Sequence, residues 1–178
     1  MTRKTLVTLH MYLSAFFAPF IIMVSVSGGL YLLGIKGEVV QESIYSGAGE
    51  VELQSPALKS QVEQVLVGAG VSEYSFEYVK VSGSTLYTRP TTRDHYVIKL
   101  GEGTVEVLSA EPSLQSALIE LHKGHGPGLF KTFQKIFALG LLLIIVSGLW
   151  LGLSAVGLRR RTLLTSAAGT AVFLLLAL

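Results

Sequence analysis

The chain has no cysteine, so disulfides cannot brace it and thiolate ligation of zinc or of iron–sulfur clusters is excluded. Acidic residues are missing from both ends: all twelve Asp and Glu fall between Glu38 and Glu120. Charge of either sign is missing from Tyr12 to Ile35 and again from Ile136 to Leu158. A bilayer core takes about 20 apolar residues per helix, so each of these runs is long enough to cross one. Also lacking are a phosphate-binding glycine loop, a Ser/His/Asp triad, a pair of catalytic carboxylates and a nicotinamide or flavin fingerprint. These absences leave no hydrolase and no self-contained dehydrogenase to argue for.

What is present is sorted by sign. Arg3 and Lys4 precede the first apolar run, and Arg159, Arg160 and Arg161 follow the second, giving +5 on these flanks. Between the runs, residues 36–130 carry seven Lys and Arg against twelve Asp and Glu, hence −5. Short basic flanks stay on the cytoplasmic side, so the sequence predicts a cytoplasmic N-terminus, an exported middle and a cytoplasmic triplet of arginines. A basic isoelectric point here reports membrane topology, and the acidic middle offers no face for nucleic acid. The first run is too long for a cleaved signal peptide and no A-x-A site follows it, which predicts an uncleaved anchor. A third apolar run, from Leu163 to Leu178, is short, and we read it as a third transmembrane helix heading outward, the alternative being an interfacial or partner-covered segment.

The middle segment reads as a small α+β module. Ser46-Gly47-Ala48-Gly49 resembles a linker, and Ser55-Pro56 supplies an N-cap and first-turn proline for a helix bearing Leu58, Val62, Val65 and Leu66. Gly68-Ala69-Gly70 ends that helix. Alternating stretches at Tyr74–Val81, Thr85–Thr88, His95–Leu100 and Thr104–Leu108 predict antiparallel strands, with turns at Ser82-Gly83-Ser84 and Gly101-Glu102-Gly103. A last helix begins at Pro112-Ser113 and runs to the glycines around Pro127. The fold class is thus an α-helical transmembrane bundle of two or three helices with a periplasmic α+β domain inserted between helices 1 and 2. The partition is 1–35 for the N-terminus and helix 1, 36–128 for the inserted domain, 129–156 for helix 2, 157–162 for a basic cytoplasmic loop and 163–178 for helix 3.

Leu9-His10-Met11-Tyr12-Leu13-Ser14 opens the first membrane helix and Ser27-Gly28-Gly29-Leu30-Tyr31 closes it; Leu121-His122-Lys123-Gly124 precedes the second, which closes on Val146-Ser147-Gly148-Leu149-Trp150-Leu151. This order of motifs, with the helix–strands–helix module between, resembles the PepSY-associated transmembrane helix family over roughly residues 6–155. That family includes bacterial inner-membrane reductases of ferric siderophores. The resemblance implies a PepSY-like exported domain, the inner membrane, and ferric iron or an iron chelate as the electron acceptor. Larger members carry more membrane helices, and histidines on those helices have no counterpart here.

His10 lies about one turn inside the cytoplasmic end of the first helix, where an ionisable side chain is costly unless it faces an interior or a site. Its functional reading is an axial ligand to haem b, and its bland one an interfacial histidine reaching the headgroups. His122 matches the family's Leu-His-x-Gly histidine and is the second expected ligand. His125 is a weaker candidate, since a His-x-x-His pair without carboxylate or thiolate partners is thin support for a metal. His95 reads as structural. Gly28, Gly29 and Gly148 are expected where helices or a flat cofactor approach closely, while Ser27 and Ser147 can bond to their own backbones.

One histidine near each face, separated by most of a ~30 Å core, cannot share one haem. A two-fold dimer would pair each with its mate. The expectation is therefore a homodimeric haem protein in the bilayer, taking electrons from a quinol or membrane donor and passing them to a ferric chelate. The alternative is a non-catalytic module that regulates a peptidase or serves as an accessory subunit.

Overall fold

A computed structural model describes residues 2–178, which fold into two compact units. One comprises residues up to Ile21 together with Lys135–Leu178; the other is Ile22–Gln134. Helices α1 (Arg3–Leu32) and α4 (Gly128–Ser154) run through both. At 30 and 27 residues they are the two described helices long and apolar enough to cross a membrane. Their outward side chains are large and apolar, among them Tyr12, Phe16, Ile22, Leu139, Leu142 and Ile145. In water such a surface would invite aggregation; in lipid it costs nothing.

In the first unit α1 and α4 meet at an aromatic contact. Phe17 is 4% exposed and its ring lies 5.6 Å from that of Phe137, with Phe20 5.8 Å from Phe137 on the same side. Gly140 sits under Phe17, where a Cβ would come within 2.2 Å of the ring. Only a hydrogen fits there, which is how small residues bring membrane helices together. After α4 the single residue Ala155 breaks the helix, and α5 runs from Val156 to Ala177. Arg159–Arg161 therefore lie in the first turns of α5, and the basic loop expected at 157–162 is helical. Arginine is a good helix former and nothing after Ala155 opposes it. Gly152 of α4 and Thr162 of α5 approach so closely that a Cβ on Gly152 would lie 2.5 Å from Thr162 Oγ1. No side chain of α5 is buried.

The second unit is built on five antiparallel strands in the order β1-β5-β4-β3-β2. These are β1 (Val39–Ala48), β2 (Tyr78–Ser82), β3 (Thr85–Arg89), β4 (His95–Leu100) and β5 (Thr104–Pro112). Alternation in β3–β5 sends Leu86, Ile98, Val105 and Val107 to one face, where they enclose Val62 and Leu66 of α2 (Leu58–Gly68). Tyr87, Val97, Leu108 and Ala110 form a smaller cluster on the other face. The two expected hairpins form, with Gly83 and Gly103 at positive φ.

Three expectations are corrected. Ser46-Gly47-Ala48 is no linker: it completes β1, pairing with Glu106, Val105 and Thr104. The Tyr45 ring covers Gly47 so closely that a Cβ there would meet it, supplying contacts that the glycine lacks. The N-cap of α2 is Ala57, with Ser55 two residues early and its Oγ accepting from the Ala57 amide at 3.2 Å. The strand expected from Tyr74 begins only at Tyr78, because among the described residues the stretch before it makes a single backbone–backbone bond, Glu77 N to Arg89 O at 2.8 Å.

Helix α3 (Leu114–His122) is capped by Ser113, whose Oγ accepts from the Ser116 amide at 3.3 Å. It ends in a Schellman motif: His125 N bonds to Glu120 O at 2.9 Å and Gly124 N to Leu121 O at 3.0 Å. Gly124 takes φ +79°, a conformation that side chains with a Cβ resist. The chain reverses there and enters α4, whose first amide, Gly128 N, is bound by both carboxylate oxygens of Glu77 at 2.9 and 3.1 Å. An anion at that end also suits the helix dipole.

Candidate functional site

Two of the expected histidines are held in the same way. In the first unit, His10 Nδ1 lies 2.8 Å from Ser147 Oγ, and Ser147 donates its proton to Ile144 O at 3.0 Å. Gly148 lies against the ring, with a Cβ position 3.2 Å from His10 Cε1. In the second unit, His122 Nδ1 lies 3.1 Å from Ser27 Oγ, and Ser27 donates to Met23 O at 2.6 Å. Gly28 lies against this ring, again 3.2 Å from Cε1.

A hydroxyl has one proton to give. Both serines spend theirs on a carbonyl of the preceding helical turn, so each can only accept from imidazole. This hydrogen-bond network assigns the proton to Nδ1 in both histidines and leaves the Nε2 lone pair unprotonated in the neutral ring. Neither Nε2 has a hydrogen-bond partner among the described residues. An Nδ1–H fixed by an acceptor with a free Nε2 is the arrangement of histidines that ligate metals.

The contacts cross over. The sequence holds Leu-His…Ser-Gly twice, at 9–10 with 27–28 and at 121–122 with 147–148, and each histidine takes the Ser-Gly of the other copy. Gly28 and Gly148 thus make room for imidazole rings, whereas Gly29 has nothing within 4 Å. Ser27 is 1% exposed, so the Ser27–His122 pair is sealed on the serine side. A cavity of about 230 Å³ opens beside it, lined by Ser27, Gly28, Tyr31, Ile119, His122 and Lys123.

His122 and His125 are not brought together. His125 Nδ1 donates to Glu120 Oε2 at 2.6 Å, within a cluster that sequence reasoning missed. Glu120 also accepts from Thr91 Oγ1 at 2.8 Å, Lys123 Nζ at 2.7 Å and Arg89 Nη1 at 3.3 Å. Burial opposes its ionisation, but the hydrogen bonds from Lys123, His125 and Thr91 outweigh it and pull the carboxyl down to about 2. Arg89 Nε is buried without a partner. A Schellman-type end beside an isolated Glu was the only available sequence signal for this cluster. His95, at the start of β4, is 8% exposed and donates from Nδ1 to Arg93 O at 2.9 Å. Among the described residues no three His, Asp or Glu side chains gather to hold a metal ion.

Whether these residues fit haem turns on donors and space. Each of the two sites gives one free imidazole nitrogen and no second ligand. The 230 Å³ cavity at His122 is below the ~300–1,000 Å³ of typical ligand pockets, so one chain could cover only part of a porphyrin. The residues would therefore give haem one imidazole ligand per site.

Among curated proteins and among solved structures, nothing matches the chain. A family model does, beginning one residue into β1 and continuing through α5, so that it takes in His122, Ser147 and Gly148 but starts after α1. Over residues 40–178 the match is to PepSY_TM-like proteins, and this membrane protein, an α+β domain set between membrane helices, belongs to that family.

Proposed function

We propose that the protein binds haem b through His10 and His122 and carries electrons across the bacterial inner membrane. The observation that carries this reading is the serine lock on both Nδ1 atoms, which leaves two Nε2 lone pairs in apolar surroundings. Haem held there would supply one-electron transfer at low reorganisation cost. The chain's own contribution is orientation: each serine fixes the tautomer, and each glycine leaves room for the Cε1 side of the ring against a helix. Because each site has one ligand, a second copy related by two-fold symmetry would supply the other. The basic flanks Arg3-Lys4 and Arg159–Arg161 support a cytoplasmic N-terminus, with the acidic domain in the periplasm. The family resemblance supports a ferric chelate as acceptor, with a quinol or a membrane partner as donor.

The absorption spectrum of the detergent-solubilised protein from haem-replete cells tests this reading. A Soret band with sharp reduced α and β bands is expected; a colourless protein would defeat it. A second reading is favoured by the same contacts, since His–Ser bonds and ring-on-glycine packing are complete helix clamps without any cofactor. In that case the protein is a membrane-anchored binding module, and a colourless but folded product is its signature.

A further inference from the structure

The sheet carries a second, unrelated opening at the start of β4. His95 stands opposite Ala110 of β5, and both line a cavity at this end of the sheet. Its volume is about 430 Å³, within the range of small-molecule sites. His95 is 8% exposed and lines it. A carbonyl can only accept, so the bond to Arg93 O puts the proton on Nδ1 and makes Nε2 an acceptor. That Nε2 has no partner among the described residues, and it is not sealed by protein. Burial, ahead of a partly compensating bond to Arg93 and the nearby Arg89, holds His95 below the ordinary imidazole range, so it faces the cavity uncharged near neutral pH.

The rim has an imbalance of charge. Glu73, Asp94 and Glu111 line it, and none has a salt bridge or a side-chain hydrogen bond among the described residues. Arg93 is the one cation in the lining, and its guanidinium is equally unpaired. Three negative charges thus face one positive. No three His, Asp or Glu side chains converge among the described residues, so the carboxylates are spread around the rim and suit a molecule that spans it. Tyr74 and Tyr96 add aromatic surface of the kind that attracts cations.

We propose that this cavity binds an organic cation carrying N–H donors, an ammonium- or guanidinium-bearing molecule, with His95 Nε2 accepting one hydrogen bond and the three carboxylates matching its charge. The same chemistry is offered by a free polyamine and by a Lys or Arg side chain of a peptide. The proposal is independent of haem.

The test uses the full-length protein in detergent micelles with ¹⁵N-labelled histidine, titrated with spermidine in one arm and with acetyl-Ala-Lys-Ala-amide in the other. A saturable shift of the His95 Nε2 resonance is expected, with the His10, His122 and His125 resonances unmoved. Saturation by spermidine alone identifies a free polyamine, and saturation by the peptide identifies a basic segment of another protein. The triple variant E73Q/D94N/E111Q alters only exposed side chains and should fold; its affinity should fall about tenfold. No saturation by either probe at millimolar concentration, or unchanged affinity in the folded triple variant, would overturn the proposal.

Discussion

His122 and His125 are three residues apart and are held by opposite chemistry. His122, the last residue of α3, donates to a neutral hydroxyl, with Gly28 beneath its ring and an apolar cavity beside it. His125 donates to a carboxylate that already serves Thr91, Lys123 and Arg89. The backbone makes the difference. Gly124 at φ +79° reverses the chain, so the second histidine swings back over Glu120 in the last turn of α3 instead of continuing along the helix. Placed in a helix, the two side chains would have shared a face. A histidine beside an ionised carboxylate is an anchor for the α3–α4 turn. One beside a hydroxyl that can only accept keeps a nitrogen free for a ligand.

The largest effect on this contrast is expected from Gly28→Leu. Even a Cβ at Gly28 would crowd the His122 ring at 3.2 Å, so the longer side chain should expel it. Overpacking of this kind costs about 3 kcal/mol, read as a lowered thermal midpoint in detergent, while the His125–Glu120 bond should persist. If the midpoint and the His122 environment are both unchanged, the ring does not lie on Gly28.

Glu120→Gln attacks the other histidine. Removing a carboxylate that serves four donors should cost about 2 kcal/mol near neutral pH and leave His122 in place. The acid profile gives the sign. The carboxyl is held at about 2 against an ordinary 4.5, so its contribution is fully present above pH 4.5 and is lost as pH falls toward 2. The wild-type protein should therefore lose stability across that window, and the Gln variant should show a shallower slope. Equal slopes would mean that Glu120 is not the titrating anchor.

Ser27→Ala is the gentlest cut. It leaves the His122 Nδ1–H without its acceptor and should cost about 1 kcal/mol, close to what single polar contacts between membrane helices are worth. Its informative readout is the ring's tautomer by ¹⁵N shift: a mixture should replace the single Nδ1–H form. Retention of one tautomer would show that something other than Ser27 fixes it.

Much of this arrangement was legible in the residues. The two charge-free runs became the two spanning helices, and the alternation of Val, Leu and Ile in β3–β5 gave the sheet's core. Ser113 capped α3 where expected. Strand β1 was hidden because Ser46-Gly47-Ala48 has turn composition, and only pairing with β5 and the Tyr45 ring over Gly47 make it a strand. The histidines were visible as candidates, but their partners were not. Ser27 and Ser147 were expected to bond to their own backbones, and both do; the second lone pair, which takes the imidazole, is a tertiary matter that spacing along one helix cannot reveal. The doubled Leu-His…Ser-Gly order was the available signal. For Glu120 the turn at Gly124 was the one signal, and it could not show that two of the four donors, Arg89 and Thr91, come from another region of the sheet domain.

The central claim, that free Nε2 atoms of His10 and His122 hold haem while His125 does not, is tested most directly by counting haem per chain. The pyridine haemochrome of purified, folded wild-type protein, His122→Ala and His125→Ala should be compared with protein mass. The account predicts one haem per chain in wild type, as two shared by two chains, half of that in His122→Ala, and no change in His125→Ala. Full haem in His122→Ala, or its loss in His125→Ala alone, would contradict it.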